Sequence, residues 1–284
     1  MIIKENFELK NLCTFGIGGQ AKFLCLVKTK EDLIEAFKLA SKHNLKVHIH
    51  GGGSNTLYSD GFLDLLVIKM NNIGVQIEND YLQVLSGTPW SFLQSFCQKN
   101  KLYSMEPLMG IPGTIGGAVF GNAGAHGMEI KESLIQIECF NLHTEEFEII
   151  DPQSLEFDYR YSEFKKKKHL VIWSVNMSFS RDINDKRGDL EDYKNFRLEK
   201  QPQGKTTGSY FKNPEGDSAG RLIEAVGLKG HCIGGIKSSE KHANFFINLN
   251  NASFEDVMNL QKLIQKRVLE EYGVELQPEI ITVK

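Results

Sequence analysis

The chain has 284 residues, of which 41% are hydrophobic and 24% are charged, as in a globular protein large enough for two domains. The formal net charge of -3 and the pI near 6.3 show no basic excess, which argues against binding to nucleic acid or to an acidic membrane surface. No apolar stretch approaches the roughly 20 residues that span a bilayer, and the start of the chain lacks the regions of a signal peptide, so we expect a cytoplasmic protein without membrane contact that binds small molecules.

Signals for helix starts mark three helices along the chain. Thr29 and Asp32 form a capping box before apolar residues at helical spacing, and this helix should end near residue 44. Thr88 as cap, with Pro89 at the first helical position, predicts a second helix. A third helix runs from the Ser253 cap to residue 273. Apolar runs predict strands at 46–49, 62–69, 81–86, 134–141, 170–179, 244–249 and 279–283.

Two loops in the first half of the chain are rich in glycine. The first spans residues 51–55, and the second spans residues 110–127 with seven glycines among eighteen residues. Successive backbone N–H groups in such loops form a nest for anionic oxygens, so a pyrophosphate is a natural ligand for one of them. Tight turns explain the same glycines equally well, and glycine density alone leaves both interpretations open.

Two familiar nucleotide-binding motifs fail in their structural context. The string GIGGQA beginning at Gly16 matches a relaxed dinucleotide fingerprint, but residues 22–27 read as a strand where that motif must open a helix. Residues 204–206 resemble the end of a P-loop, but Glu199 stands where its first glycine is required. We therefore expect neither a Rossmann site nor a P-loop.

Polar segments and isolated cysteines complete the pattern. Residues 181–205 are polar and mark a boundary between two lobes, and the lysine run 165–168 is typical of a solvated loop. The five cysteines are odd in number and form no Cys-x-x-Cys pair, so we expect reduced thiols that pack in the core and no metal site.

Seven segments occur in an order that resembles one enzyme family. They are NLCTFGIGG at 11–19, GGGSNTLYSD at 51–60, GIPGTIGGAVFGNAGAHG at 110–127, YRYSEF at 159–164, GSYFKNP at 208–214, the segment 219–248, and PE at 278–279. Together they resemble the UDP-N-acetylenolpyruvoylglucosamine reductases over nearly the whole chain. Gly16 and Ile281 depart from the family pattern, which commonly has a basic residue at each place. The short stretch 180–205 resembles the compact branch of the family, which lacks an extra tyrosine-bearing loop.

The resemblance implies an α+β fold of the vanillyl-alcohol-oxidase (PCMH) type. The implied FAD-binding domain comprises residues 1–180, with subdomains of about 1–60 and 61–180. A linker at 181–205 and a smaller substrate-binding α+β domain at 206–284 follow.

The resemblance also implies the reaction, in which NADPH reduces noncovalently bound FAD and UDP-N-acetylenolpyruvoylglucosamine becomes UDP-N-acetylmuramate, a peptidoglycan precursor. In this reaction Arg160 would bind the substrate carboxylate, Ser209 would donate a proton, and Glu279 would act on the developing enolate. The residues implied to hold FAD are Gly51, Gly52, Gly53, Ser54, Asn55, Ile111, Pro112, Gly113, Thr114, Gly117, Asn122, Ala123, Gly124 and Ala125. Those implied to bind the UDP-sugar are Tyr159, Lys212 and Asn213.

Simpler interpretations stand beside these roles. Without the resemblance, Arg160 reads as a surface ion-pair residue, Ser209 as a turn cap and Glu279 as an exposed residue before a strand. For the whole chain, the alternatives are an FAD oxidase or dehydrogenase of the same fold acting on a small alcohol or hydroxy acid, or a flavin-binding module without activity. We expect a monomer, since no apolar heptad or interface segment is evident.

Overall fold

The computed structural model describes all 284 residues and contains both helices and strands. Helices α1 to α6 span Lys30–Lys42, Trp90–Asn100, Ile115–Gly121, Leu190–Lys200, Ala219–Ala225 and Phe254–Tyr272. Short 3₁₀ helices span Leu9–Asn11, Glu106–Leu108, Ile130–Ser133, Pro152–Ser154, Glu163–Lys165 and Ile183–Asp185. Strands β1 to β18 span Ile2–Glu8, Gln20–Val27, Lys46–His50, Thr56–Tyr58, Phe62–Met70, Val75–Glu78, Tyr81–Leu85, Gly124–Ala125, Met128–Glu129, Leu134–Asn141, Glu146–Ile150, Phe157–Asp158, Tyr161–Ser162, Leu170–Ser178, Cys232–Ile233, Ile236–Ser238, Phe246–Asn248 and Ile281–Val283.

One compact unit, here called the first unit, consists of Met1–Lys4, Leu24–Gly52 and Leu66–Asn195. Its largest sheet is antiparallel, with the strand order β11-β10-β14-β7-β6. Strand β7 buries every second residue, as a strand with one face on a core must. Apolar residues of this sheet and of α2 and α3 form one core, which includes Val84, Leu93, Ile115, Val119, Ile137 and Val175.

The second unit consists of Glu5–Phe23, Gly53–Leu65 and Phe196–Lys284. It contains the antiparallel sheet β15-β16-β17 and helix α6, which buries Val257, Leu260, Ile264 and Val268 at helical spacing. Strand β18 pairs in parallel with β4, with Ile281 beside Thr56. A further sheet has the strand order β1-β2-β5-β3.

The predicted helices are confirmed, with one shift of a boundary. Capping boxes at Thr29 and Ser253 open α1 and α6 as predicted. The cap of α2, however, is Pro89 and not Thr88, so the predicted first helical residue was wrong by one position. The reason is that Thr88 Oγ1 donates to the carbonyl of Gly74 at 3.0 Å, and Pro89 pairs with Thr114 as an isolated bridge.

The structure adds three findings that the sequence did not predict. The predicted linker 181–205 contains α4, whose Tyr193 ring lies 4.4 Å from the ring of His126. The sequence did not reveal several strands, among them β1, β6 and β11. All five cysteines are free, but Cys232 is exposed while the other four are buried.

The predicted domain boundaries remain a prediction. Residues 5–23 and 53–65 group with residues 196–284 in the second unit, although they precede most of the first unit in the chain. No helix is both long and apolar enough to cross a membrane, and no cluster of three or more metal-ligating side chains is present.

Candidate active site

The two glycine-rich loops lie against each other within the first unit. A Cβ atom built on Gly52 would stand 2.5 Å from Gly113 Cα, and one built on Gly51 would stand 2.5 Å from Thr114 Oγ1. Real side chains essentially never approach so closely, so only glycine permits this contact. The structure thereby brings two separately predicted segments into one backbone-lined surface.

A lysine supports the first of these loops from strand β5. Lys69 Nζ donates to the carbonyl oxygen of Gly51 at 3.0 Å. Burial lowers the pKa of Lys69 below its ordinary value, because desolvation disfavours the charged ammonium. A partly buried cation beside a loop of backbone amides favours an anionic ligand.

The remaining residues of the first loop belong to the second unit. Gly53 has a φ of 69°, and its carbonyl accepts a hydrogen bond from Thr14 N at 3.1 Å. Ser54 and Asn55 are half-buried. Asn55 donates through Nδ2 to the carbonyl of Glu279 at 3.2 Å and accepts from Ile281 N at 3.0 Å.

Helix α3 begins and ends inside the second glycine-rich loop. Thr114 caps it by accepting from Gly117 N, and Asn122 ends it with a φ of 44°. Asn122 is fully buried, and its Nδ2 donates to Glu129 Oε2 and to Asp158 O, both at 2.9 Å. The Asn122 side chain therefore fastens the loop from within.

The other residues predicted to hold the cofactor lie in the same loop and differ in their exposure. Ile111, Gly113, Ala123, Gly124 and Ala125 are half-buried, whereas Pro112 and Gly117 are exposed. Gly124 and Ala125 form β8, which pairs with β9 and so has its backbone fixed on that side.

Arg160 lies in the turn of a short hairpin in the first unit. Strands β12 and β13 pair Asp158 with Tyr161, so Tyr159 and Arg160 form a two-residue turn. The φ of Arg160 is 54°, a left-handed conformation that costs a non-glycine residue roughly 1–2 kcal/mol. Its Nη2 donates to the carbonyl of Gly124 at 3.0 Å, and its Cζ lies 5.0 Å from the Tyr159 ring centroid. The predicted catalytic arginine thus stands at the second glycine-rich loop, in a strained conformation of the kind that clusters at active sites.

The lysine run behind this hairpin is only partly a solvated loop. Lys166 and Lys168 are exposed, as predicted. Lys165 is half-buried, and its Nζ donates to the carbonyl oxygen of Arg160 at 2.7 Å. For Lys165 the expectation of a solvated side chain was wrong, because the turn offers it a backbone acceptor.

Ser209 lies on a segment of the second unit that is hydrogen-bonded on both sides. It pairs with Phe245, while Phe211, two residues later, pairs with Pro278. The buried side chain of Asn244 accepts from Phe211 N at 2.9 Å and donates to Phe211 O at 2.8 Å. The Asn244 side chain thus satisfies the backbone N–H and C=O groups of Phe211, as a neighbouring strand would. These bonds fix the backbone of the segment that carries the half-buried Ser209.

Glu279 is fixed next to the same segment. Its backbone N donates to the carbonyl of Tyr210 at 2.8 Å, and the residue is half-buried. The structure therefore brings Ser209 and Glu279 onto neighbouring stretches of the second unit, while Arg160 belongs to the first. The interpretation of Glu279 as an exposed residue is wrong.

The predicted substrate-binding residues differ in what their side chains already do. Lys212 is half-buried, and its backbone N donates to Gln277 O at 2.9 Å. Asn213 is exposed and accepts from Ala219 N through Oδ1 at 3.1 Å, which leaves its Nδ2 protons for a ligand. Tyr159 is 41% exposed.

Sequence reasoning missed the supporting side chains Lys69 and Lys165. Lys69 could have been found from the sequence, because it is a lone lysine near the end of the apolar run 62–70. A charged side chain in a buried strand usually has a polar partner. Nothing in the run 165–168 distinguished Lys165 from its neighbours.

Comparisons with known proteins identify the fold and the family of the chain. A family model described as an FAD binding domain matches residues 21–145, and a model of the C-terminal domain of UDP-N-acetylenolpyruvoylglucosamine reductase matches residues 200–283. A crystal structure of that reductase from Thermus caldophilus covers 100% of both chains, with a TM-score of 0.84 and 31% identity. The predicted α+β fold of the vanillyl-alcohol-oxidase type is confirmed.

The fold and the site define an FAD-dependent oxidoreductase. The reductase of Fusobacterium nucleatum is 37% identical over 288 residues and covers 100% of both chains. That of Thermotoga maritima is 40% identical over 268 residues and covers 93% of each chain. The chain belongs to the UDP-N-acetylenolpyruvoylglucosamine reductase family.

Proposed function

We propose that this protein reduces UDP-N-acetylenolpyruvoylglucosamine to UDP-N-acetylmuramate, with electrons that pass from NADPH through FAD, in the synthesis of peptidoglycan precursors. The observation that carries the proposal is the full-length similarity to reductases of this name, together with Arg160 held beside the second glycine-rich loop. We further propose that the protein acts as a cytoplasmic monomer.

The backbone-lined surface formed by the two loops fits the cofactor. Gly51–Asn55 would receive the FAD pyrophosphate, because backbone amides and the nearby Lys69 favour phosphate oxygens. The residues from Ile111 to Gly117 and from Asn122 to Ala125 would lie along the rest of the molecule. When bound, FAD supplies hydride-transfer chemistry, accepting a hydride from NADPH and passing one to an acceptor.

Arg160 would bind the carboxylate beside the enol ether. Hydride addition to the terminal carbon builds negative charge on that carboxylate, and a cation placed there stabilises the transition state. A guanidinium grips a carboxylate through two parallel hydrogen bonds and so also orients the reacting carbon.

Ser209 and Glu279 would complete the reduction. The carbon that bears the ether oxygen must gain a proton, and we assign the donor to the Ser209 hydroxyl, whose alkoxide needs stabilising neighbours. Glu279 would act with Arg160 on the enolate. Both residues lie on backbone fixed by hydrogen bonds, and a fixed backbone holds the distance over which a proton can move.

The UDP group would be bound by Tyr159, Lys212 and Asn213. A lysine ammonium suits the diphosphate as a point charge, and the Asn213 amide can donate to its oxygens. Substitution of these residues should raise KM for the sugar nucleotide more than it lowers kcat.

The test separates the two half-reactions of FAD-loaded protein without oxygen. NADPH should bleach the visible flavin absorbance, and UDP-N-acetylenolpyruvoylglucosamine should restore it. Ser209→Ala should be bleached normally, but the restoring step should slow by at least about a hundredfold, the usual contribution of a general acid. The exposed Ser91→Ala is the matched control and should behave as wild type. If oxygen restores the flavin and the sugar nucleotide does not, the oxidase alternative replaces this proposal.

A further inference from the structure

We propose that Lys165 is a positioning residue for Arg160, which it holds in the orientation that binds the substrate carboxylate. Lys165 Nζ donates to the Arg160 carbonyl oxygen at 2.7 Å, from five residues further along the chain. The inference rests on the proposed function, because it concerns the role proposed there for Arg160.

The backbone of Arg160 needs such a support. With a φ of 54°, Arg160 occupies a place in the turn where glycine or asparagine is usual. A turn with a costly conformation relaxes unless its surroundings hold it. The bond from Lys165 fixes the direction of the Arg160 carbonyl and hence the plane of the peptide that follows the Cα atom.

Lys165 is well placed to provide a fixed point. It ends the 3₁₀ helix Glu163–Lys165, in which Phe164 is 1% exposed and belongs to the core of the first unit. The buried phenyl ring anchors the short helix, so the lysine stem starts from a fixed position.

The guanidinium is held at its other end by separate contacts. Nη2 bonds to Gly124 O, and the Tyr159 ring lies against the group. Arg160 is therefore fixed at its backbone by Lys165 and at its tip by the glycine-rich loop. Loss of the bond from Lys165 should reorient the whole Arg160 side chain, since the contact of Nη2 with Gly124 alone cannot fix the backbone of the hairpin turn.

The neighbouring lysines do not share this role. Lys166 lies near Glu156 at 3.6 Å, and Lys167 pairs with Glu163 at 3.2 Å. Lys168 is exposed, which makes it a matched control for removing one ammonium from the same run.

The first experiment measures binding of two nucleotides to FAD-loaded protein by calorimetry. UDP-N-acetylmuramate has the carboxylate, and UDP-N-acetylglucosamine lacks it. Lys165→Met should bind the first about tenfold more weakly and the second as wild type does, while Lys168→Met should match wild type for both. Lys165→Arg, which keeps a donor, should recover part of the loss. General damage to the fold would weaken both nucleotides alike and would overturn the proposal.

The second experiment follows the half-reactions in a double-mutant cycle. Lys165→Met should leave bleaching by NADPH unchanged and slow the step with the sugar nucleotide about tenfold. Combined with Arg160→Lys, it should add little further loss, because both changes remove the same interaction. Independent losses, or a Lys165→Met enzyme that matches wild type, would overturn the proposal while the proposed function stands. Failure of the wild type to use the sugar nucleotide would instead remove the proposed function, and the inference with it.

Discussion

Replacing Gly52 with alanine should separate the two glycine-rich loops and weaken FAD binding. The new Cβ would lie 2.5 Å from Gly113 Cα and 3.0 Å from its carbonyl carbon, and no rotamer change can move these backbone atoms aside. Overpacking of this kind costs about 1–3 kcal/mol. Because FAD binds only when both loops keep their proper spacing, the overpacking destabilises the FAD-bound protein more than the FAD-free protein. We therefore expect the Kd of FAD to rise by about 5- to 150-fold.

Two further alanine variants test the reasoning behind this value. At Gly51 the added Cβ meets a side-chain atom, Thr114 Oγ1, which can rotate away at the cost of the α3 cap, so the loss should be smaller. At Gly121, also in the glycine-rich stretch, no atom lies within 4 Å, and FAD binding should be unchanged. The assay is ultrafiltration of FAD-loaded protein, with free flavin measured by fluorescence. A Gly52→Ala protein that retains FAD as wild type does would refute the close-contact argument.

Three other predictions concern stability and reactivity. Asn244→Ala should lower the free energy of unfolding by about 2–4 kcal/mol, because both backbone groups of the buried Phe211 lose their partner; urea unfolding measures this, and a loss under about 1 kcal/mol would contradict the assigned contact. In native protein only Cys232 should react quickly with a thiol-specific disulfide reagent at neutral pH, since burial raises the pKa of Cys25 to about 11 and that of Cys97 to about 12; a second fast thiol would argue against this burial. Burial lowers the pKa of His48 from 6.5 to about 4, so the unfolded state binds the proton more readily. The contribution of His48 to the free energy of unfolding should be constant above pH 6.5. Below that pH the free energy of unfolding should fall, by up to about 3 kcal/mol as the pH drops toward 4. His48→Gln should flatten the urea-derived profile in that window, and an unchanged slope would contradict the role assigned to His48.

Features with a local cause could be predicted from the sequence. The capping boxes at Thr29 and Ser253 lie within one turn of the helices they open, so the local chain determines them. The first residue of α2 was predicted one position too early, because Pro89 pairs with Thr114. A partner 25 positions away cannot be inferred from the local sequence. The short strands of the hairpin at Arg160 are likewise too brief to produce a periodic signal.

The candidate site was predictable in its components and not in its assembly. Glycine density pointed to two loops that let another group approach, but their mutual contact through Gly52 and Gly113 joins segments about 60 residues apart. The supporting side chains are still harder to predict from the sequence. Lys69, Lys165 and Asn244 form hydrogen bonds with backbone atoms of other residues. The charge of Lys69 within an apolar run shows that this side chain has a special role, but the sequence does not show which carbonyl oxygen it binds.

The pairing of β4 with β18 has a consequence for the newly made protein. Thr56–Tyr58 leaves the ribosome early, but its parallel partner Ile281–Val283 is made more than 200 residues later. All residues of the first unit, which ends at Asn195, are available before that moment, so the first unit can begin to fold while three buried residues of β4 still lack their neighbour. During translation β4 therefore remains without its partner strand until the last residues are made, and until then its apolar side chains are open to chaperones and proteases.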